Sequence, residues 1–135
     1  MNQGARSYQK VAVESGVDSG SPHTLIKMLF EGAIGRLHNA VSCMESKQIE
    51  RRSELISSAL AIIAGLQDSL DLEKGGMLAE NLDGLYDYMQ RQLFRATVDN
   101  DASLLVEVAG LLETLNEGWA AMGLVQLEVS RASNT

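Results

Sequence analysis

Proline is nearly missing from this 135-residue chain: the one proline, Pro22, lies near the start, so nothing downstream of it removes an amide donor from a helix. Cysteine is as scarce. Cys43 alone permits no internal disulfide and no multi-cysteine zinc site, a usage that fits a reducing cytosol. No run approaches the roughly 18 consecutive apolar residues of a membrane span, and the opening stretch, Met1 to Arg6, leads into polar residues rather than the apolar core of an export signal. Basic residues are short in the second part of the chain. The net charge is −7, and it is uneven: residues 1–52 carry 7 basic and 5 acidic side chains, whereas residues 53–135 carry 4 and 13. A field of that sign repels phosphate backbones and anionic lipid, which argues against nucleic-acid binding and against stable membrane association.

What is present is a chain that folds. Hydrophobic residues make up 45% and charged residues 21%, in the range of globular proteins, and the length suits one domain with a core of its own. Reading at about 100° per residue separates four helical segments. The first covers about 21–44, with Ser21 as candidate N-cap and Pro22 at the first helical position, where its missing N–H costs nothing; Leu25, Ile26, Leu29, Phe30, Ala33, Ile34, Leu37 and Val41 share one side. The second covers about 48–72 and aligns Ile49, Leu55, Ile56, Ala59, Leu60, Ile62, Ile63, Leu66 and Leu70. Gly75-Gly76 then supplies a stop. The third, about 77–98, aligns Leu78, Leu82, Leu85, Tyr86, Met89 and Leu93. After the polar break Asp99-Asn100-Asp101, the fourth starts at about 102 and aligns Leu104, Leu105, Val108, Leu111, Leu112, Leu115, Trp119 and Met122. Gln126 interrupts that stripe, so packing is expected to weaken beyond Gly123. The reading is an all-α chain: a flexible N-terminal arm over 1–20, an antiparallel up-down four-helix bundle over 21–125, and a frayed tail over 126–135.

The apolar arcs of the first three helices span roughly 160° to 180°, wider than burial on one side demands. Either each helix touches two neighbours, or the bundle carries an additional groove; Phe94, Val106 and Leu124 lie off their stripes and suit the second. Seven glycines fall inside the helices, at roughly 1 kcal/mol each relative to alanine, and close helix contact is the expected reason.

Chemistry is sparse. Phosphate-cradling, zinc-protease, serine-hydrolase and EF-hand motifs are all missing. Glu80, Asp83 and Asp87 share one face of the third helix opposite its apolar stripe and read as solvated, as do Asp68, Asp71 and Glu73. His38 and Cys43 point in different directions. His23-Thr24-Leu25-Ile26-Lys27 has a passing likeness to the histidine phosphotransfer segment, with altered spacing and the histidine in the first helical turn, so His23 is expected on the surface. No cofactor, metal site or catalytic residue is assigned. An acidic bundle with an apolar groove suits recognition of an amphipathic helix, and Tyr8 with Val11, three apart, are the apolar anchors by which the arm would cover such a groove when empty.

Five blocks in order give the chain a likeness. They are Tyr8-x-x-Val11; Ser21-Pro22-x-x-Leu25-Ile26-x-Met28-Leu29-Phe30-Glu31-Gly32-Ala33-Ile34; Leu70-Asp71-x-Glu73-x-Gly75-Gly76; Asn81-Leu82-x-x-Leu85-Tyr86-Asp87-Tyr88-Met89; and Glu107-Val108-x-x-Leu111-Leu112-x-x-Leu115-x-x-x-Trp119. With these the chain resembles the flagellin-specific export chaperones of the FliS type, cytosolic partners of bacterial flagellar type III secretion. Phe30 stands where that family usually has tyrosine, Glu31 where aspartate is common, and Thr97 where asparagine often follows Ala96.

The resemblance implies a non-enzymatic bundle that binds the C-terminal disordered segment of flagellin one to one. Such binding prevents premature polymerisation, and delivery to the membrane export gate follows. It also implies that the N-terminal arm occupies part of the client groove. For that groove the expected residues are Ile56, Leu60 and Ile63 on the second helix and Leu82, Tyr86, Met89 and Leu93 on the third. The free protein is expected to be a cytoplasmic monomer or weak homodimer. The alternatives from the residues alone are a histidine phosphotransfer-like module and a generic homo-oligomeric bundle.

Overall fold

The computed structural model describes residues 21–133, with side chains as far as Ala121. Tyr8 and Val11 lie outside the described residues. Four helices follow in order: α1 (Pro22–Glu45), α2 (Ile49–Asp68), α3 (Gly76–Asp99) and α4 (Ala102–Ser133). Ser21 caps α1 as its sequence suggests: its backbone is extended, its Oγ accepts the Thr24 amide at 3.1 Å, and Pro22 takes the first turn. Lys47, with φ at 61°, turns the chain into α2. α2 stops at Asp68, four residues short of the expected 72. Ser69 Oγ donates to the Leu66 carbonyl at 2.7 Å and Asp71 Oδ1 accepts the Lys74 amide at 3.0 Å; such side-chain bonds to nearby backbone compete with helix continuation. Asn100, left-handed at φ 52°, ends α3. α4 runs to Ser133, and residues 134–135 of the expected tail lie outside the described residues.

Among the described residues each helix meets two neighbours and none meets its diagonal partner: α1 packs on α2 and α4, and α3 packs on α2 and α4. With short reversing connections this is the antiparallel up-down ring expected from the sequence. Two neighbours per helix also account for much of the width of the stripes. The shared core holds Leu29, Ala33, Leu37 and Ala40 from α1, Ala59, Ile62 and Ile63 from α2, Met89, Leu93 and Ala96 from α3, and Leu105, Val108 and Leu112 from α4, all fully buried or nearly so. Truncating one of the large ones, such as Leu93, to alanine removes contacts worth about 2–5 kcal/mol.

The seams differ in extent. α1 packs broadly on both neighbours, whereas α3 makes narrower seams on α2 and α4 and adds polar bonds to its core contacts. Toward α2, Gln67 Nε2 donates to Asp83 Oδ1 at 2.9 Å and to Asp87 Oδ1 at 2.8 Å, and Gln90 Nε2 donates to Gln67 Oε1 at 2.8 Å; the two aspartates expected to be merely solvated are thus interhelical acceptors. Toward α4, Glu107 accepts from the Tyr88 hydroxyl at 2.8 Å and from Gln92 Nε2 at 2.9 Å. Gln92 is the one buried polar side chain among the described residues. Its bond, then that of Tyr88, holds the Glu107 carboxyl below its ordinary value, while the bond to Glu107 holds the Tyr88 phenol above its own. This clamp closes the α3–α4 seam only near the Asn100 turn.

Close helix contact does not explain the glycines at 35, 84, 110 and 118, around which an added Cβ finds open space. The loop glycines are different. A Cβ on Gly75 would lie 2.5 Å from the Ala79 Cβ and 2.7 Å from the Asp71 carbonyl, and Gly76 sits at φ 56°. Gly75→Ala is therefore expected to lower the midpoint of denaturant unfolding, whereas Gly84→Ala is expected to raise stability by about 1 kcal/mol; both are read from equilibrium unfolding curves. Glu107 supplies a pH test. A carboxylate with a depressed folded value stabilises the fold above the ordinary carboxylate range and loses that contribution as pH falls through the depressed value. Glu107→Gln should lower Tm at neutral pH, and its gap to the wild-type chain should close as pH drops below about 4, in thermal melts taken across that range.

Candidate functional site

At the end of the bundle opposite the Asn100 turn, α3 and α4 part. The space between them is a cavity of about 660 Å³ lined almost wholly by apolar side chains. α1 contributes Ile26 and Phe30, the α2–α3 connection Leu70, α3 Leu78, Leu82 and Tyr86, and α4 Leu115 and Trp119, with Ser69, Asp71 and Thr114 as the polar members. Phe30 and Tyr86 are buried and form the floor; Ile26, Leu82, Leu115 and Trp119 are half-buried. Leu78, aligned with the core stripe of α3 in the sequence, is 64% exposed. An apolar stripe that reaches the end of its helix without a neighbour to cover it leaves its side chains facing solvent.

One wall of this cavity is fastened in an unusual way. The His23 ring stacks on the Trp119 indole, centroids 4.7 Å apart and planes within 7°. The Trp119 Nε1–H donates to the His23 carbonyl at 2.9 Å, and His23 Nε2 lies 2.7 Å from the Trp119 carbonyl. A carbonyl only accepts, so Nε2 carries the proton and donates. His23 is thus half-buried rather than on the open surface, with its Nε2 engaged by the Trp119 carbonyl. His38 instead faces Glu113, 3.0 Å away.

Between α1 and α2 lies a second, polar cleft of about 440 Å³. Its arginines are bonded within it: Arg36 donates to Ser58 Oγ at 2.7 Å and to the Gly32 carbonyl at 3.0 Å, and Arg51 pairs with Glu54 at 3.3 Å. Cys43 is buried. No group of acidic, histidine or cysteine side chains among the described residues is arranged to hold a metal ion, and no helix among them is long and apolar enough to cross a membrane.

The residues singled out from the sequence divide accordingly. Ile56, Ile63, Met89 and Leu93 are core, each at most 2% exposed. Leu60 is half-buried against that core. Only Leu82 and Tyr86 line the cavity. The periodicity placed Ile26, Phe30, Leu78, Leu115 and Trp119 in their stripes without marking them as a site, because a helical wheel gives direction around an axis and no position along the seam. The available signal was Gly118 beside Thr114 on the flank of α4, small residues where a packed seam would carry bulk.

Comparison with known proteins accords with this geometry. The family model described as flagellar protein FliS matches residues 4–126. The chain is 46% identical over 114 residues to the flagellar secretion chaperone FliSB of Pseudomonas aeruginosa, covering 84% of this chain and 90% of that one. It is 47% identical over 117 residues to FliS of Salmonella typhimurium, covering 86% and 87%, and 29% identical over 106 residues to FliS of Bacillus subtilis, covering 78% of each. The family is one of chaperones rather than enzymes, and by both family model and sequence identity this chain belongs to it: a four-helix flagellar secretion chaperone of the FliS family.

Proposed function

We propose that the cavity between α3 and α4 receives an apolar face of the C-terminal segment of flagellin, and that the chain thereby keeps flagellin from polymerising before export. The observation that carries this reading is an open apolar cavity of about 660 Å³ at the end of the bundle where residues 1–20 attach. A client that orders on binding loses entropy, so it needs a large apolar contact in return. Exposed Leu78 and half-buried Ile26, Leu82, Leu115 and Trp119 offer that contact without disturbing the core beneath.

In the same reading, one chaperone binds one flagellin in the cytoplasm and hands it to the export gate. Residues 1–20 cover the cavity when it is empty, with Tyr8 and Val11 as anchors. The free chain is a monomer or weak homodimer. An arm that competes with the client lowers the apparent affinity by the fraction of molecules in which the cavity is covered.

Two variants test the site. Leu78→Asp places a charge at an exposed position of the cavity rim, so the fold should persist while a flagellin C-terminal peptide binds at least tenfold more weakly by calorimetry, the equivalent of losing one buried aliphatic side chain, about 1.5–3 kcal/mol; unchanged affinity would remove the cavity from the client site. Tyr8→Ala should bind the same peptide more tightly, because the competitor is weakened, and binding no tighter than the wild-type chain would sink the covering role of the arm. Native mass measurements with full-length flagellin and with flagellin lacking its C-terminal segment decide the client itself: a complex with the second as strong as with the first refutes the reading.

A further inference from the structure

We infer that His23 is a positioning residue for the cavity: through its clasp with Trp119 it holds the indole as a fixed wall and so keeps the cavity open to an incoming apolar segment. The inference rests on the cavity being the binding site. His23 itself does not line the cavity, whereas Trp119 does. The two residues, 96 apart in sequence, are joined three times over: by the ring stack, by the indole N–H on the His23 carbonyl, and by the imidazole N–H on the Trp119 carbonyl. Each side chain therefore bonds the other's backbone. Neither ring can turn about its own side-chain bonds without losing the stack and one hydrogen bond.

The surroundings make this fastening necessary. Gly118, beside Trp119, offers no side chain, and an added Cβ there meets nothing within 4 Å. Trp119 packs against the core but is only half-buried, and its remaining surface borders the cavity. An indole released at the edge of an apolar space turns into it, because burial of its own surface favours that. The wall would become a plug. His23 is well placed to prevent this because its own position is fixed: it follows Pro22, whose ring sets φ, and it lies within the turn closed by Ser21 Oγ on the Thr24 amide. A rigid first turn of α1 thus pre-organises a residue of α4, and pre-organisation raises affinity by removing an ordering cost from binding.

Substitutions separate the components. His23→Phe keeps an aromatic face and loses the donor, His23→Gln keeps an N–H near the place of Nε2 and loses the stack, and His23→Ala loses both. Trp119 is the only tryptophan of the chain, so its emission and its quenching by acrylamide report the clasp directly. With fold and Tm followed by circular dichroism, His23→Ala should show a changed indole environment. It should also bind both the neutral apolar dye Nile red and the flagellin peptide roughly threefold or more weakly, the scale of one lost hydrogen bond, and His23→Phe and His23→Gln should each restore part of the loss. Unchanged dye binding in His23→Ala overturns the inference. So does a lower Tm with unchanged quenching, which would make the clasp structural only. Because Nile red reads the cavity without a client, a wild-type chain that takes up the dye but not the peptide refutes the flagellin reading while leaving the clasp to be judged on the dye.

Discussion

The seam between α3 and α4 is the constraint on which the rest of the molecule turns, because it is closed at one end only. Near the Asn100 turn, Glu107 draws Tyr88 and Gln92 onto itself and the helices meet. At the other end the facing side chains are Leu78, Leu82 and Leu115, and the helices part around a cavity. The two broad seams of α1 supply stability that lets the α3–α4 seam stay partly open. A bundle with four equal seams would bury its stripes completely and have nothing to offer a partner.

Much of this was legible in the sequence, and the limit has a clear origin. The Ser21 cap, the glycine pair before α3, the Asn100 break and the four stripes all depend on local chemistry, which a linear reading captures. Two neighbours per helix account for much of the width of the stripes; the cavity is lined by residues of the stripes themselves, and Phe94 and Val106, which suited an additional groove, are exposed outside it. What a linear reading could not give was position along a seam. Ile63 and Leu82 are equivalent on their helical wheels, yet one is sealed in the core and the other walls the cavity. The difference depends on how far apart two helices stand at one height of the bundle, a tertiary quantity. His23 shows the same limit from the polar side, since nothing near it in sequence announces a tryptophan 96 residues away.

Charge and cavity fit one another. The acidic balance of residues 53–135 opposes association of the open apolar surface with its copies, because like-charged bundles repel on approach. The polar bonds of Gln67 with Asp83 and Asp87, and of Arg36 with Ser58, lie on outer faces where they orient helices without filling the cavity.

The clasp between the first turn of α1 and Trp119 also bears on the order in which the molecule is made. Its two halves are separated by most of the bundle, and the α1–α4 seam that surrounds it is of equally long range. Contacts of that span form only after the intervening loop has closed, and during synthesis they wait until α4 has left the ribosome. The first three helices can assemble as an open sheet of helices well before then, with the inner face of α1 uncovered on one side. The cavity is consequently among the last parts of the protein to exist: a chain cut short before Ala102 would leave three helices and lack Leu115 and Trp119, two of the side chains that line it.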